Sequence, residues 1–222
     1  MPRSRHFPAA RIGRLACGIV LACVSREVCL ACDGPAGAVD VADAAQLVLD
    51  AGGGAVPQDV ASLEARLASG LSCLSDPPTP AQVAAIHLAE AVAAQVGGRN
   101  PSRDAALDAW VSLTPKAALP AALGADPVMV AAVEQARARF PGPVASLNAR
   151  RGGWQEVDGR LASMHPEERP YLLQEFDGSG AVARTEYVWP DGLEPPPPPP
   201  PEIAENPGRG EDAQPRGRGK RK

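Results

Sequence analysis

Residues 79–98 read TPAQVAAIHLAEAVAAQVGG. Thr79 offers a hydroxyl cap, Pro80 occupies the first turn where no N–H is needed, and Gln82 carries an amide able to reach back to the cap, which together start a helix. Gly97 and Gly98 stop it. Between these ends the clearly polar positions are Gln82, His87, Glu90 and Gln95. A helix apolar over so much of its circumference belongs between neighbouring layers, and its many Ala residues let those layers come close.

Upstream, Asp40 can cap a helix over 41–51 that Gly52, Gly53 and Gly54 stop. A second helix over 58–74 sets Val60, Leu63, Leu67, Leu71 and Leu74 at steps of three and four, a single apolar stripe. Downstream, residues 101–113 predict a helix with Ala106, Trp110 and Leu113 on one face. Asp126 and Pro127 open another, on which Met129, Val133, Ala136 and Phe140 recur at helical spacing. Short connections between successive helices favour antiparallel packing.

Composition changes near residue 142. Phe, Trp and Tyr together number eight, and Trp154, Tyr171, Phe176, Tyr187 and Trp189 crowd into one short stretch. Residues 154–157 and 160–162 flank Asp158-Gly159, a dipeptide that tolerates the positive φ angles of a tight hairpin. Residues 171–176 and 181–188 flank Asp177-Gly178-Ser179-Gly180 and predict a second hairpin. In its last strand Val182, Arg184, Glu186 and Val188 share one face, and Ala183, Thr185, Tyr187 and Trp189 the other. A sheet this small needs a covering surface, and the helical region is the nearest one. The connection 165–170, His-Pro-Glu-Glu-Arg-Pro, reads as a solvated loop. The expected fold is therefore α+β: an Ala-rich antiparallel helical array followed by a small antiparallel sheet of two hairpins, with disordered termini. The expected divisions are a leader over 1–38, helices over 39–142, a β module over 143–192 and a tail over 193–222.

The pair of helices over 80–115 resembles a degenerate tetratricopeptide-repeat hairpin. Leu88, Ala89 and Val92 stand where that family has its Leu-Gly and aromatic positions, Gly97 lies near its turn Gly, and Ala105, Ala109 and Pro115 approximate its second-helix Ala residues and terminal Pro. The family's tyrosine is absent, and a generic antiparallel bundle accounts for the same pattern. The resemblance implies a protein- or peptide-binding concave surface without chemistry, with flanking helices as caps. The Val157-Asp158-Gly159 turn and its Pro-containing connection resemble the PEGA-type β modules of bacterial envelope proteins over about residues 150–190.

Arg3, Arg5, Arg11 and Arg14 precede an apolar run over 15–24, the order of a secretory signal in a run too short to span a bilayer. Ala36-Gly37-Ala38 has the small-x-small form of a cleavage site, which would start the mature chain at Val39. The rival is lipoprotein processing at Cys23 or Cys32. Four of the five cysteines, Cys17, Cys23, Cys29 and Cys32, sit in this leader, so its removal leaves Cys73 alone and no disulfide framework. Cys29 and Cys32 have redox or metal spacing, but no second Cys/His pair closes a zinc site. No metal or cofactor is expected. The sequence thus predicts an exported, periplasmic or envelope protein, lipid-anchored if Cys23 or Cys32 is modified; a cytoplasmic protein is the alternative.

Seven prolines over 195–201 predict a polyproline rod about 20 Å long. Residues 202–222 carry almost no apolar side chains and predict a disordered tail. It ends in a basic run of Arg216, Arg218, Lys220, Arg221 and Lys222, a candidate contact for anionic lipid, wall polymer or an acidic protein. A net charge of -4 and a tail without aromatics for base stacking argue against nucleic acid. Basic residues are nearly all Arg, as a GC-rich coding sequence produces. For catalysis the chain offers Cys73 and His87 on adjacent helices as a conceivable nucleophile and base, with no orienting acid or oxyanion turn beside them. The expectation is therefore a non-catalytic scaffold or adaptor with an unidentified protein partner. Its alternatives are a cytoplasmic polyanion- or nucleic-acid-binding protein acting through the basic run, and a Cys73 hydrolase.

Overall fold

The computed structural model describes residues 34–54, 57–148 and 152–193. The chain is α+β. Six helices come first: α1 (Ala38–Gly52), α2 (Pro57–Ser72), α3 (Pro80–Val96), α4 (Asn100–Leu113), α5 (Ala121–Gly124) and α6 (Pro127–Arg139). The cap of α3 forms as its sequence requires: Gln82 N–H donates to Thr79 Oγ1 (3.3 Å) and Thr79 N–H to Gln82 Oε1 (2.8 Å), satisfying two donors that the first turn cannot pair internally. Helix α3 is buried nearly all round, packed against α1 and α4 and, less extensively, α2. Small residues make this possible, since a Cβ on Gly52 would sit 2.0 Å from Val92 Cγ1.

The stripe on α2 points inward, with Val60, Leu67 and Leu71 buried and Leu74 buried just past the helix end. On α6 Met129, Val133 and Ala136 are buried, but Phe140 is not. The helix stops at Arg139, and Phe140 turns to extended backbone with its side chain 47% exposed. Helix α5 lies in a stretch with no periodic pattern and is a single turn.

The four expected strands form one antiparallel sheet in the order β3-β2-β5-β6, with β2 at Trp154–Val157, β3 at Arg160–Leu161, β5 at Tyr171–Phe176 and β6 at Val182–Val188. A separate pair joins β1 (Val144–Ser146) to β4 (Met164–Pro166). The 165–170 connection is thus only partly a solvated loop: His165 and Pro166 belong to β4, Pro166 and Pro170 are buried, and Glu167 and Glu168 are exposed.

One face of the sheet lies on the helices. Leu172, Gln174 and Phe176 are buried along β5, and Leu172, Tyr187 and Trp189 join the helical core. Gln174 Nε2 donates to the Asp76 carbonyl (3.2 Å) and Thr185 Oγ1 to the Leu74 carbonyl (2.8 Å). The composition change near residue 142 therefore marks a change of secondary structure within one shared core. The Asp158-Gly159 turn has positive φ at both residues, 54° and 70°, as the hairpin demands, and a Cβ on Gly159 would lie 2.5 Å from the Pro78 carbonyl oxygen. Gly159→Ala should consequently cost about 2–4 kcal/mol, combining the left-handed backbone penalty with a backbone clash. An unchanged urea midpoint for this variant contradicts the seating of the turn on the α2–α3 connection.

Residues 36–38 are built into the body. Ala36 pairs with Leu74 in a parallel bridge, its N–H donating to the Cys73 carbonyl (2.9 Å) while its own carbonyl accepts from Ser75 N–H (3.1 Å). Ala38 begins α1. A cut after Ala38 would strip away this bridge together with Gly37, which caps the helix.

Candidate functional site

His87 stands at the centre of the helix–sheet seam, 0% exposed. An imidazole in that setting needs partners for both nitrogens, and the sheet provides them. Nε2–H donates to Asp158 Oδ1 (3.1 Å), and Nδ1 shares a 2.8 Å hydrogen bond with the Tyr187 hydroxyl. The carboxylate, which can only accept, fixes the direction of the first bond, and the protonation of the imidazole sets that of the second. Asp158, 3% exposed, also accepts from Leu172 N–H (2.9 Å) and from Arg169 Nη1 (3.2 Å). Burial alone would raise its pKa. The charge and hydrogen bond of His87, the Leu172 N–H and the Arg169 guanidinium outweigh burial and hold it below the ordinary carboxylate value. Tyr187 is pushed well above its ordinary value, by burial first and then by the charges of Glu90 and Asp158.

One turn along α3, Glu90 is 1% exposed, and its Oε2 is sealed from solvent with no hydrogen-bond partner. Its pKa is pushed up to about 8, by burial first and then by the charge of Glu64, against the opposing charge of Arg99. Glu64 and Arg99 form a largely buried ion pair beside it. The order carboxylate–imidazole–hydroxyl is that of an activated nucleophile. Here the hydroxyl is a phenol whose pKa is raised further by burial and by the charges of Glu90 and Asp158. What the arrangement does is tie α3 to the β2–β3 turn and to β6.

Cys73 does not join His87. Its sulfur is disulfide-bonded, and the partner lies outside the described residues. The expectation of an unpaired Cys73, whether as a small buried thiol or as a nucleophile, is overturned for that reason. Cys17, Cys23, Cys29 and Cys32, the last two with their redox or metal spacing, also lie outside the described residues, as do the proline run and the basic residues Arg216, Arg218, Lys220, Arg221 and Lys222. Among the described residues no group of three or more His, Cys, Asp or Glu side chains is placed to hold a metal ion, and no helix is long and apolar enough to cross a membrane.

A groove of about 830 Å³ opens between α4, α6 and the ends of β4, β5 and β6. Tyr171, Trp189, Pro166 and Pro190 are among its walls, and Asp104, Asp108, Glu167, Glu168 and Asp191 bring carboxylates to it. Arg139 grips Asp108 through three hydrogen bonds of 2.8–3.1 Å. Burial raises the pKa of Asp108, against the pull of the Arg139 hydrogen bond and charge.

Sequence reasoning anticipated His87 and Glu90 as a polar stripe and missed Asp158, Arg169 and Tyr187 as their surroundings. The available signal was the imidazole itself, since a histidine inside an apolar helix implies polar partners on whatever covers it. No family model, no curated protein and no solved structure matches the chain.

Proposed function

We propose that the protein is a non-catalytic exported scaffold or adaptor of the bacterial cell envelope, presenting a protein-binding surface built jointly by the helices and the sheet. The observation that carries this reading is the disulfide at Cys73. It occupies the one cysteine among the described residues, and such bonds persist in oxidising compartments and are rare in the cytosol. The tetratricopeptide-like pattern of α3 and α4 and the PEGA-like turn at Asp158-Gly159 agree with an interaction role, and the open groove offers a surface for it. Anchoring through a lipid on Cys23 is the membrane-attached form of the same reading, since it leaves Cys29 and Cys32 as disulfide partners, whereas a lipid on Cys32 would occupy its sulfur and remove the cysteines before it.

On this reading the disulfide would also bound the mature start. The other four cysteines all precede residue 33, so an intramolecular partner survives only if the mature chain begins no later than Cys32. Mass spectrometry of protein from the native cell should find an N-terminus past Arg14 and no later than residue 32, with Cys73 resisting alkylation until reduced. An intact Met1 together with a freely alkylated Cys73 would sink the export reading and favour a cytoplasmic protein whose basic run binds polyanions. A pull-down with and without residues 195–222 then asks which part of the chain holds a partner.

A further inference from the structure

A second pocket, of about 240 Å³, opens between α2, α3 and the end of β6. Ala68 and Leu71 on α2, facing Tyr187 and Trp189, give it mainly apolar walls. Most of its polar side chains are already engaged. Ser72 Oγ donates to the Ser69 carbonyl (2.8 Å), Thr185 Oγ1 donates to the Leu74 carbonyl (2.8 Å), Glu186 pairs with Arg184 (2.6 Å), and the Tyr187 hydroxyl is bonded to His87. Two are not. Glu90 Oε2 and Trp189 Nε1 are buried without a hydrogen-bond partner, and both residues line this pocket. A buried polar atom left unpaired destabilises a fold, so two of them, from different elements at one cavity, point to a group supplied from outside. About eight waters, at about 30 Å³ each, would be needed to fill the space. Two free polar atoms cannot hold so many in place, since each ordered water needs two to four polar partners.

We propose that this pocket binds a small uncharged ligand with an apolar body and one carbonyl head, the head hydrogen-bonded to Trp189 Nε1–H and to the Glu90 carboxyl. An indole N–H can only donate, so the head must accept. Glu90, with its pKa pushed up to about 8 by burial, keeps its proton at neutral pH and offers an O–H donor as well. One carbonyl oxygen, with two lone pairs, can accept both bonds. The terminal torsion of a glutamate side chain is broad, which lets the carboxyl swing toward the pocket without disturbing α3. Charged ligands fit less well. An anion would meet Glu90 and the half-buried Glu186, with no cation among the described residues of the lining. A cation would find a donor in Trp189 and would need Glu90 ionised where burial opposes it. Occupancy of this pocket goes beyond the adaptor reading and does not depend on it.

The probe is benzamide, a ligand of about nine non-hydrogen atoms, added to the isotope-labelled full chain at neutral pH and followed by NMR of the tryptophan indole N–H signals. Trp189→Phe identifies the Trp189 signal by its loss. Ligands of this size bind with a Kd of the order of millimolar, so benzamide at about 20 mM should move the Trp189 signal downfield to a plateau while Trp110 and Trp154 stay in place. Benzoate and benzylammonium keep the ring and charge the head, and should leave the signal unmoved. Glu90→Gln still donates and accepts, and should bind benzamide much as wild type does. Glu90→Met keeps the length without a polar atom and should bind at least about tenfold more weakly, its unmoved signal from the buried Trp110 reporting an intact core. No saturable shift of Trp189 with benzamide, an equal response to benzoate or benzylammonium, an equal response of all three tryptophans, or undiminished binding by Glu90→Met each overturns the proposal. None of these outcomes bears on where the mature chain begins, so the export result stands or falls separately.

Discussion

Replacing Asp158 with Ala should cost about 3–5 kcal/mol, because it removes one member of a buried, hydrogen-bonded charge group and leaves the others uncompensated. Three donors lose their acceptor together: His87 Nε2–H, Leu172 N–H and Arg169 Nη1–H. Ala also resists the positive φ at this turn residue, 54°, where Asn is tolerated. Asp158→Asn should therefore lose clearly less than the Ala variant. The pH dependence has a definite sign. A carboxylate held below its ordinary value stabilises the fold above that value, and the benefit disappears as pH falls through the folded pKa. The gap between wild type and Asp158→Ala, measured by urea unfolding, should accordingly narrow in acid. A gap that widens toward low pH is incompatible with the carboxylate as the hub of the seam.

The second large effect runs the other way. Glu90 has its pKa pushed from 4.5 to about 8, so between those values the folded chain keeps a proton that the unfolded chain has released. Stability then falls as pH rises across this window, by at most about 5 kcal/mol for a shift of that size. Glu90→Gln keeps the shape and cannot ionise. It should match wild type near pH 4.5 and exceed it by several kcal/mol at pH 9. A difference between the two proteins that stays constant over the range would mean that Glu90 is ionised and satisfied in the fold.

Most of the helical framework was legible from local chemistry. The Thr79-Pro80-Gln82 cap, the stripe from Val60 to Leu74 and the glycine stops act over one or two turns, and sequence records interactions of that reach directly. The Asp158-Gly159 turn was legible for the same reason. The pairing of β1 with β4 was not, since three-residue strands carry no periodicity and the 165–170 connection reads as charge between prolines. Phe140 continued a helical spacing that the backbone abandons after Arg139. The seam was half legible: His87 and Glu90 stood out on an apolar helix, but nothing local assigns Asp158 or Tyr187 to them.

Among the described residues, four side-chain hydrogen bonds from the sheet and its turn to α3 and the α2–α3 connection join residues 71, 98, 100 and 111 positions apart. Contacts of such separation close late, since the loop entropy must be lost before they are gained. During synthesis the helices emerge first, with the polar side of α3 still unroofed, and the ribosome must complete Tyr187 before that side can be shut. The hydrogen-bonded seam is thus a feature of the finished chain, and a nascent polypeptide halted after α6 would carry His87 and Glu90 with the sheet that covers them not yet made.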